Sequence, residues 1–343
     1  MQVGLIGTGY AAKLRADTLQ AETRAHLVAI AGRDLERTQT FSQPYGVVAY
    51  DSWQKVMETD ADLVIVSTIN QDHGAIVRAA LRAGKHVIVE YPLCLDVVEA
   101  EALITLAKHQ NKLLHVEHIE LLGGVHQALK ENLPRVGNAF YARYATLKPE
   151  HPAPQRWSYH AQAFGFPLMG ALSRLHRLVD LFGTVATVSC TAQFWDATQG
   201  SGNAQFVSPS GYYTACRCSA QLQFANGVLA EVTYGKGEVF WQAERIFEVQ
   251  GHKGTLIFEG DGGTWINTDG SHPLQVGSRR GLFARDTAMV LEHLTAGTPL
   301  YIAAEASVYT LKVADAARRS AEQGGMPINV GAKSVGAEST TSS

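Results

Sequence analysis

The stretch Val3-Gly4-Leu5-Ile6-Gly7-Thr8-Gly9-Tyr10-Ala11-Ala12-Lys13 decides the fold. A short apolar run ends in Gly7-x-Gly9-x-x-Ala12, and a helix-like segment over residues 13–20 follows at once. Gly7 permits the tight turn, Gly9 lets backbone N–H groups approach a pyrophosphate, and Ala12 is small enough to seat the helix against the strand. Residues 7–12, with Thr8, Tyr10 and Ala11 between the small residues, are therefore expected to hold phosphates at the positive end of that helix. A GxGxxA taken alone is a weak signal, and its place at the head of a repeated strand–helix pattern gives it weight.

Apolar strand candidates fall at residues 2–7, 26–31, 47–50, 63–67, 86–90 and 113–118. Most are rich in Val, Ile and Leu, as parallel strands covered on both faces are. Residues 73–83 and 97–109 carry apolar side chains at helical spacing, and Gly84 stands where a helix needs a left-handed cap. The pattern predicts an NAD(P)-binding Rossmann domain, a doubly wound parallel sheet, over residues 1–120. Cofactor choice is read after the second strand, at Gly32-Arg33-Asp34. A carboxylate at the strand end would accept from a ribose 2′-OH, whereas small Gly32 leaves space and Arg33 offers a donor fork for a 2′-phosphate. NADPH is expected over NADH, with Asp34 capping the next helix. Ser67, Thr68, Asn70 and His73 after the fourth strand, and Glu90-Tyr91-Pro92 after the fifth, are placed to reach ribose and nicotinamide.

With 343 residues, 46% of them hydrophobic, the chain is long enough for two domains. A net charge of −3 gives no electrostatic case for nucleic acid or an anionic membrane as partner. No charged segment precedes a signal-like apolar run, and no apolar run approaches the length of a membrane span, so neither a signal peptide nor a span is expected. The four cysteines, Cys94, Cys190, Cys216 and Cys218, lack zinc-site spacing, and Cys216 and Cys218 share one face of a strand as buried thiols do. The expectation is a reduced, cytoplasmic protein without a metal site.

Beyond residue 120, strand candidates lie at 138–146, 185–194, 212–224, 227–234, 244–250 and 254–258, with a hairpin turn at 224–227. Residues 216, 218, 220, 222 and 224 are apolar and alternate with polar 217, 219, 221 and 223, so one face is buried and the other wet. A wet outer face favours a monomer. Residues 198–210 read as a mobile loop and 331–343 as a disordered tail, by composition.

This layout resembles the Gfo/Idh/MocA oxidoreductases over nearly the whole chain, to about residue 330. The resemblance implies a Rossmann domain followed by a substrate-binding α/β domain, residues 121–330, on a large, mostly antiparallel sheet. A helix at 303–323 would return toward the first domain. The runs HVEHIELLGGVHQ (115–127), PAPQRW (152–157), FGFPL (164–168), YGKGEVF (234–240) and VGSRRGLF (276–283) are similar to one branch of that family, the biliverdin reductases of cyanobacterial type. That branch implies hydride transfer from NADPH to the C10 methine carbon of biliverdin IXα, giving bilirubin, a tetrapyrrole product. Arg156 and Trp157 would then contact the cofactor from the loop 147–166.

Departures from the wider family agree with that branch on chemical grounds. Sugar-oxidising members carry Glu-Lys-Pro, with the lysine serving proton transfer, where this chain has Glu90-Tyr91-Pro92. They also carry Asp and His four residues apart on the first substrate-domain helix, where Ser173 and Arg177 stand here, His176 being one position off. An alcohol dehydrogenase needs a base titrating near neutral pH, which Tyr, Ser and Arg do not supply. The spacing predicts one helix over 167–182, capped by Gly183, with Leu168, Leu172, Leu175, Leu178, Val179 and Phe182 on its apolar stripe. Arg174 and Arg177 lie together off that stripe, where the family sets this helix over the nicotinamide. Arg174 is expected to be the main catalytic side chain and Arg177 its helper, with Tyr91 and His118 beside them. Glu120 is a further cleft candidate, His118 is equally a structural histidine, and Arg279, Arg280 and Arg285 are either guides for an acidic substrate or solvated surface. The competing functions are a sugar or cyclitol dehydrogenase and a non-catalytic NADP-binding regulator.

Overall fold

The computed structural model describes residues 1–196, 200–203 and 211–331. Six parallel strands, β1 (Gln2–Ile6), β2 (His26–Ala31), β3 (Val48–Tyr50), β4 (Leu63–Val66), β5 (His86–Val89) and β6 (Leu114–Val116), form one sheet in the order β3-β2-β1-β4-β5-β6. Their near-continuous apolar sequence serves two cores, because alternate residues face opposite sides. Val3, Leu5, Ile30, Leu63, Ile65 and Ile88 face one core. Ile6, Ala29, Val64, Val66, Val87 and Val89 face the other, which runs on without a break into the second sheet.

The second sheet contains β7 (Ala139–Pro149), β8 (Val185–Asp196), β9 (Gly200–Asn203), β10 (Ala215–Phe224), β11 (Leu229–Gly237), β12 (Glu244–Gly251), β13 (Gly254–Glu259), β14 (Gly262–Asn267), β15 (Gly270–Leu274) and β16 (Ile328–Asn329). Its order is β15-β14-β13-β12-β7-β11-β10-β8-β16, with β9 on β8, and β7–β11 is its parallel pair. Cys216, Cys218, Ala220, Leu222 and Phe224 point inward from β10, as their alternation required. The strands β9, β14, β15 and β16 have no counterpart in the periodicity, being short and carrying little apolar alternation. Thus the expected loop at 198–210 contains a paired strand at Gly200–Asn203, while its other residues, like the tail beyond Gly331, lie outside the described residues.

The single helix expected at 167–182 is two helices, Pro167–Gly170 and Ser173–Phe182. Ala171, at φ −109° and ψ 35°, leaves the helical region between them. Gly170 explains the break, since it passes so close beneath Phe164 that a Cβ there would lie 2.5 Å from the ring, and glycine is a poor helix former. Gly183 ends the second helix at φ +82°, its N–H donating to the Val179 carbonyl at 2.8 Å. Helix Leu282–Ala296 packs on helix Tyr10–Ala21, and helix Ala304–Glu322 packs on helix Val97–His109. Ion pairs Lys312–Glu101 at 2.5 Å and Lys108–Glu305 at 2.6 Å lie along that second contact.

Arg15, on the helix that the glycine motif opens, is fully buried. Its Nε donates to Glu90 Oε1 at 3.0 Å, and its Nη1 to Asp286 Oδ2 at 2.5 Å and Thr287 Oγ1 at 2.8 Å. Asp286 also binds His115 Nε2 at 2.8 Å and the Tyr301 hydroxyl at 2.8 Å. Burial opposes the charge on Asp286, but Arg15 and His115 hold its carboxyl well below the usual range. Glu117, buried beside Glu90 and Asp286, is pushed well above it.

Two glycines of the motif separate fold from binding. Gly7 has φ +127°, and a Cβ there would lie 2.1 Å from the Ser67 carbonyl oxygen, whereas a Cβ at Gly9 would meet nothing within 4 Å. Gly7→Ala is expected to lower unfolding free energy by about 2 kcal/mol or more. Gly9→Ala should change it by less than about 1 kcal/mol and instead weaken cofactor binding. Urea denaturation and cofactor titration of both variants check this, and equal destabilisation by the two would contradict it.

Candidate active site

The first-domain end of the site is built from free backbone donors. Helix Tyr10–Ala21 starts at Gly9 without a side-chain cap and without an acidic residue in its first turn. Its leading N–H groups and dipole therefore face open space, which suits a pyrophosphate. Ala12 is buried against the strand, and Tyr10 is 80% exposed. Asp34 caps helix Leu35–Ser42, accepting from the Arg37 N–H at 2.8 Å, so it is occupied locally. Arg33 is exposed and has no partner among the described residues. The room expected at Gly32 is already filled, because a Cβ there would lie 2.4 Å from Thr38 Oγ1 and 3.1 Å from Thr8. Gly32 thus serves packing, which corrects its expected role as a space for phosphate. Arg37, absent from the sequence reading, reaches the Thr8 carbonyl at 3.5 Å and puts a second guanidinium beside the motif.

The strand-end residues divide into open and committed groups. Ser67 Oγ lies 3.4 Å from Glu90 Oε1, and Glu90 also carries Arg15. Thr68 is half-buried, its hydroxyl 3.4 Å from the Ile69 carbonyl. Asn70 and His73 belong to helix Asn70–Arg82 rather than to the loop before it. Asn70 Nδ2 donates to the Phe164 carbonyl at 2.9 Å, tying the two domains together. His73 is buried, with Nδ1 at 2.7 Å from the Pro92 carbonyl and Nε2 at 3.4 Å from that of Thr68, and burial lowers its pKa. It braces the two loops from behind.

A cavity of about 1030 Å³ opens over the inward face of the second sheet. Along that face the strands change character row by row. Val249, Ala142 and Ala230 form one cross-strand row, and Phe247, Tyr144 and Val232 the next. The third row is Arg245, Thr146 and Tyr234, and Lys148 pairs with Lys236 in the fourth. Apolar rows make the core, and polar rows make the cavity floor. Helix Ser173–Phe182 supplies the wall through Ser173 and Arg174, and Glu120 and Arg279 close it as an ion pair.

Arg174 enters this cavity, with Nη1 3.2 Å from Ser173 Oγ and its guanidinium 5.0 Å from the centre of the Tyr234 ring. Its Nε is buried without a hydrogen-bond partner. Burial works against its charge, but the phenols of Tyr144, Tyr91 and Tyr234 outweigh that and raise its pKa further. Tyr91, joined to Pro92 by a cis bond, lies beside Arg174 and Ser173. Burial pushes its phenol up to about 12. Arg177 goes elsewhere: it is 2% exposed, donates to the Tyr144 hydroxyl at 3.0 Å, and lies 5.1 Å from the Tyr144 and Phe247 ring centres. It touches the cavity only through Tyr144.

His118 is 1% exposed, bonded to Ser307 Oγ at 2.9 Å and stacked on His176 at 3.8 Å between ring centres. Burial, aided by His176, holds it well below its usual pKa. His176 in turn binds Thr310 Oγ1 at 2.8 Å, and burial lowers its pKa to about 4. Neither ring lines the cavity, and no histidine does so among the described residues. Of the basic trio, Arg279 lines the cavity, Arg285 donates to the Leu122 carbonyl at 3.3 Å, and Arg280 is exposed.

Arg156 and Trp157 are exposed, Arg156 pairing with Glu150 at 2.9 Å and Trp157 lying 6.0 Å from Phe164 between ring centres. Behind them is Lys236, 3% exposed, donating to the Ser158 carbonyl and lying 3.6 Å from the Phe164 ring centre. It was not singled out from the sequence. Arg245 was also missed. Both share a strand face with buried residues, Lys236 with Val232 and Tyr234, Arg245 with Phe247 and Val249. A cation on an inward period-2 face was the available signal.

A Rossmann sheet with free donors at its first helix, facing a sheet-walled cavity, defines a two-domain nicotinamide-dependent oxidoreductase. Residues 1–118 match the NAD-binding Rossmann fold of the Gfo/Idh/MocA oxidoreductase family, and residues 130–330 match that family's C-terminal α/β domain. The chain belongs to this family. Biliverdin reductase from Synechocystis sp. PCC 6803, crystallised with biliverdin and NADP+, is 51% identical, with a TM-score of 0.88 over 93% of this chain and 98% of that one. Mouse biliverdin reductase A is 34% identical over 134 residues, 39% of this chain and 42% of that protein. The human enzyme matches to the same extent, so these curated relatives are spanned over about two fifths of their length. UDP-N-acetylglucosamine 3-dehydrogenase from Acidithiobacillus ferrooxidans shares the fold at 20% identity and a TM-score of 0.76 over 94% of this chain and 98% of that one. Among the described residues, no helix is long and apolar enough to cross a membrane.

Lys236 gives a prediction independent of activity. Burial lowers its pKa from 10.5 to about 8. The unfolded chain therefore holds this proton up to about pH 10.5, while the folded protein loses it near 8, so the group's contribution to stability rises with pH across that window. Lys236→Met removes the dependence. The stability of the variant relative to wild type should fall by roughly 2–4 kcal/mol between pH 7.5 and pH 10.5, as urea unfolding at both pH values would measure. A constant difference would place the ammonium in water.

Proposed function

We propose that this protein is a cytoplasmic, monomeric biliverdin reductase that uses NADPH, with residues 1–120 holding the cofactor and 121–330 the substrate. One observation supports it above others: Arg174 projects into a cavity whose neighbouring positions hold Tyr91 and Ser173, where alcohol-oxidising relatives keep a titrating base. Reduction of a conjugated bilin needs no hydroxyl proton removed, so the loss of that base costs the reaction nothing. The relative with 51% identity, crystallised with biliverdin and NADP+, agrees with it.

When bound, NADPH supplies the hydride that reduces the C10 methine of biliverdin to give bilirubin. The N–H groups at Gly9–Ala11 would hold its pyrophosphate, and Arg33, helped by Arg37, would take the 2′-phosphate. Ser67, Thr68 and Glu90 would border the nicotinamide, with Trp157 and Arg156 contacting the cofactor from the second domain. Arg174 sits where electron density builds on the bilin nitrogens, and its fixed charge stabilises that density. Its pKa excludes it as a free acid at neutral pH; it orients a water or a propionate through which the proton arrives. Tyr91 orients substrate with its hydroxyl protonated, and Arg177 positions Tyr144 beneath the cavity. Mixing protein, NADPH and biliverdin and recording the visible spectrum tests the reading: the biliverdin band should decay as the bilirubin band rises. Tight NADPH binding without that change would make the protein a regulator.

With NADPH and biliverdin saturating, Arg174→Ala should lower single-turnover bilirubin formation by about 10²–10³-fold, and Arg174→Lys should restore part of it, keeping the charge but not the fork. Wild-type turnover with only weaker substrate binding would make Arg174 a clamp.

Arg33→Ala should reduce the preference for NADPH over NADH by about 1.5–3 kcal/mol in kcat/KM. Unchanged discrimination would assign the phosphate to Arg37.

A further inference from the structure

The cavity carries more positive charge than its own carboxylates satisfy. Four cationic side chains line it: Arg174, Arg245, Arg279 and Lys148. Two of these are already paired, Arg279 with Glu120 and Lys148 with Glu150 at 3.0 Å. Glu244, also on the wall, is taken by Arg143 from β7. Arg174 and Arg245 are left without a carboxylate, and the half-buried side chain of Arg245 makes no hydrogen bond or ion pair to any of the described residues. Glu259 faces the same space from β13, exposed and without an ion pair to Arg245.

The surroundings of Arg245 are unfavourable to a lone cation. Burial, then Arg279, and more weakly Arg177, depress its pKa, against the opposing influence of Tyr144 and Glu120. Register fixes where it points. Arg245 pairs with Thr146 on β7, and Thr146 pairs with Tyr234 on β11, over whose ring Arg174 lies. Arg245 and Arg174 thus stand at two ends of one cross-strand row on the cavity floor. A planar guanidinium held there, short of an anion and beside a second guanidinium on a loop, is a receptor for a carboxylate.

We infer that Arg245, with Arg279 drawn from Glu120, binds a propionate carboxylate of the bilin, leaving Arg174 free for the reacting centre. This rests on the reading of the substrate as biliverdin. Arg245 holds the carboxylate through its N–H fork, and Glu120, released from Arg279, turns toward solvent. The subsite sets the sliding position of the tetrapyrrole, and so which carbon lies over the nicotinamide.

Biliverdin dimethyl ester, which keeps the conjugated ring system but has no carboxylate, separates charge recognition from stacking. Visible-absorbance titrations and steady-state kinetics with NADPH would compare acid and ester in wild type, Arg245→Gln and Arg245→Lys. Wild type should bind the acid roughly tenfold to hundredfold more tightly than the ester. Arg245→Gln should weaken acid binding by a similar factor, leave ester binding within about twofold, and keep kcat at saturation within about threefold. Arg245→Lys should recover part of the preference. Equal binding of acid and ester by wild type, with turnover of both, would leave the reductase reading intact and overturn the subsite. So would equal losses for acid and ester in Arg245→Lys with an unchanged urea midpoint. Failure of wild type to reduce either compound would remove the reductase reading itself, and the subsite with it.

Discussion

Arg15 is the group on which the arrangement of the molecule depends. A guanidinium with no exposure is stable only where its desolvation is offset by well-placed acceptors, and those acceptors come from distant parts of the chain. Glu90 lies at the end of β5, while Asp286 and Thr287 belong to helix Leu282–Ala296. Through Asp286 the network extends to His115 on β6 and to Tyr301, whose hydroxyl accepts from the His118 N–H at 3.0 Å. The helix that opens at Gly9, the end of β5 and helix Leu282–Ala296 are thereby fixed to one charge. A buried pair of this kind contributes little net stability, but removing one partner leaves a charge stranded at a cost of several kcal/mol. Its value here is geometric.

That geometry explains how a family built around alcohol oxidation accommodates a different electronic demand. The helix that the family resemblance sets over the nicotinamide starts afresh at Ser173, after the break at Ala171. Its first turn presents Ser173 and Arg174 to the cavity, at the positive end of the helix dipole. Arg174 adds a full charge at the same spot. On the proposed reading a positive field takes the place of proton abstraction, and His118 and His176, their pKa values lowered by burial, stack behind it.

Much of this was legible in the sequence, for physical reasons that differ from element to element. The parallel strands declare themselves because two-sided burial demands unbroken Val, Ile and Leu, as in Leu63–Val66. The glycine motif is legible because the turn at Gly7 admits no side chain. Arg174 and Arg177 were visible as a pair, but their division was not. A helix's own period cannot tell that Tyr144 and Phe247, from β7 and β12, will enclose one guanidinium and leave the other free. Gly32 shows the reverse error, since its missing side chain looked like room for a ligand and is filled by Thr38. The helix break was hidden because it arises from Phe164 pressing on Gly170. Short strands such as Ile328–Asn329 are specified by their neighbour β8, with no pattern of their own.

The central place of β7 has a consequence for how the chain assembles. Its two neighbours, β11 and β12, lie 88 and 107 residues further along, as the pairings Tyr141–Leu229 and Ala142–Val249 show. On a ribosome, β7 therefore emerges long before either partner, with both edges bare. The six-stranded sheet is local by comparison and can condense early, yet its Arg15 lacks Asp286 until the last helices are made. Synthesis thus passes through a stage in which a nearly formed nucleotide domain carries an incompletely neutralised interior while an apolar strand waits unpaired. Distant pairings of this kind slow folding and expose sticky surface. Heterologous expression should be gentlest at low temperature, where the early sheet has time to form and the waiting strand has less tendency to aggregate.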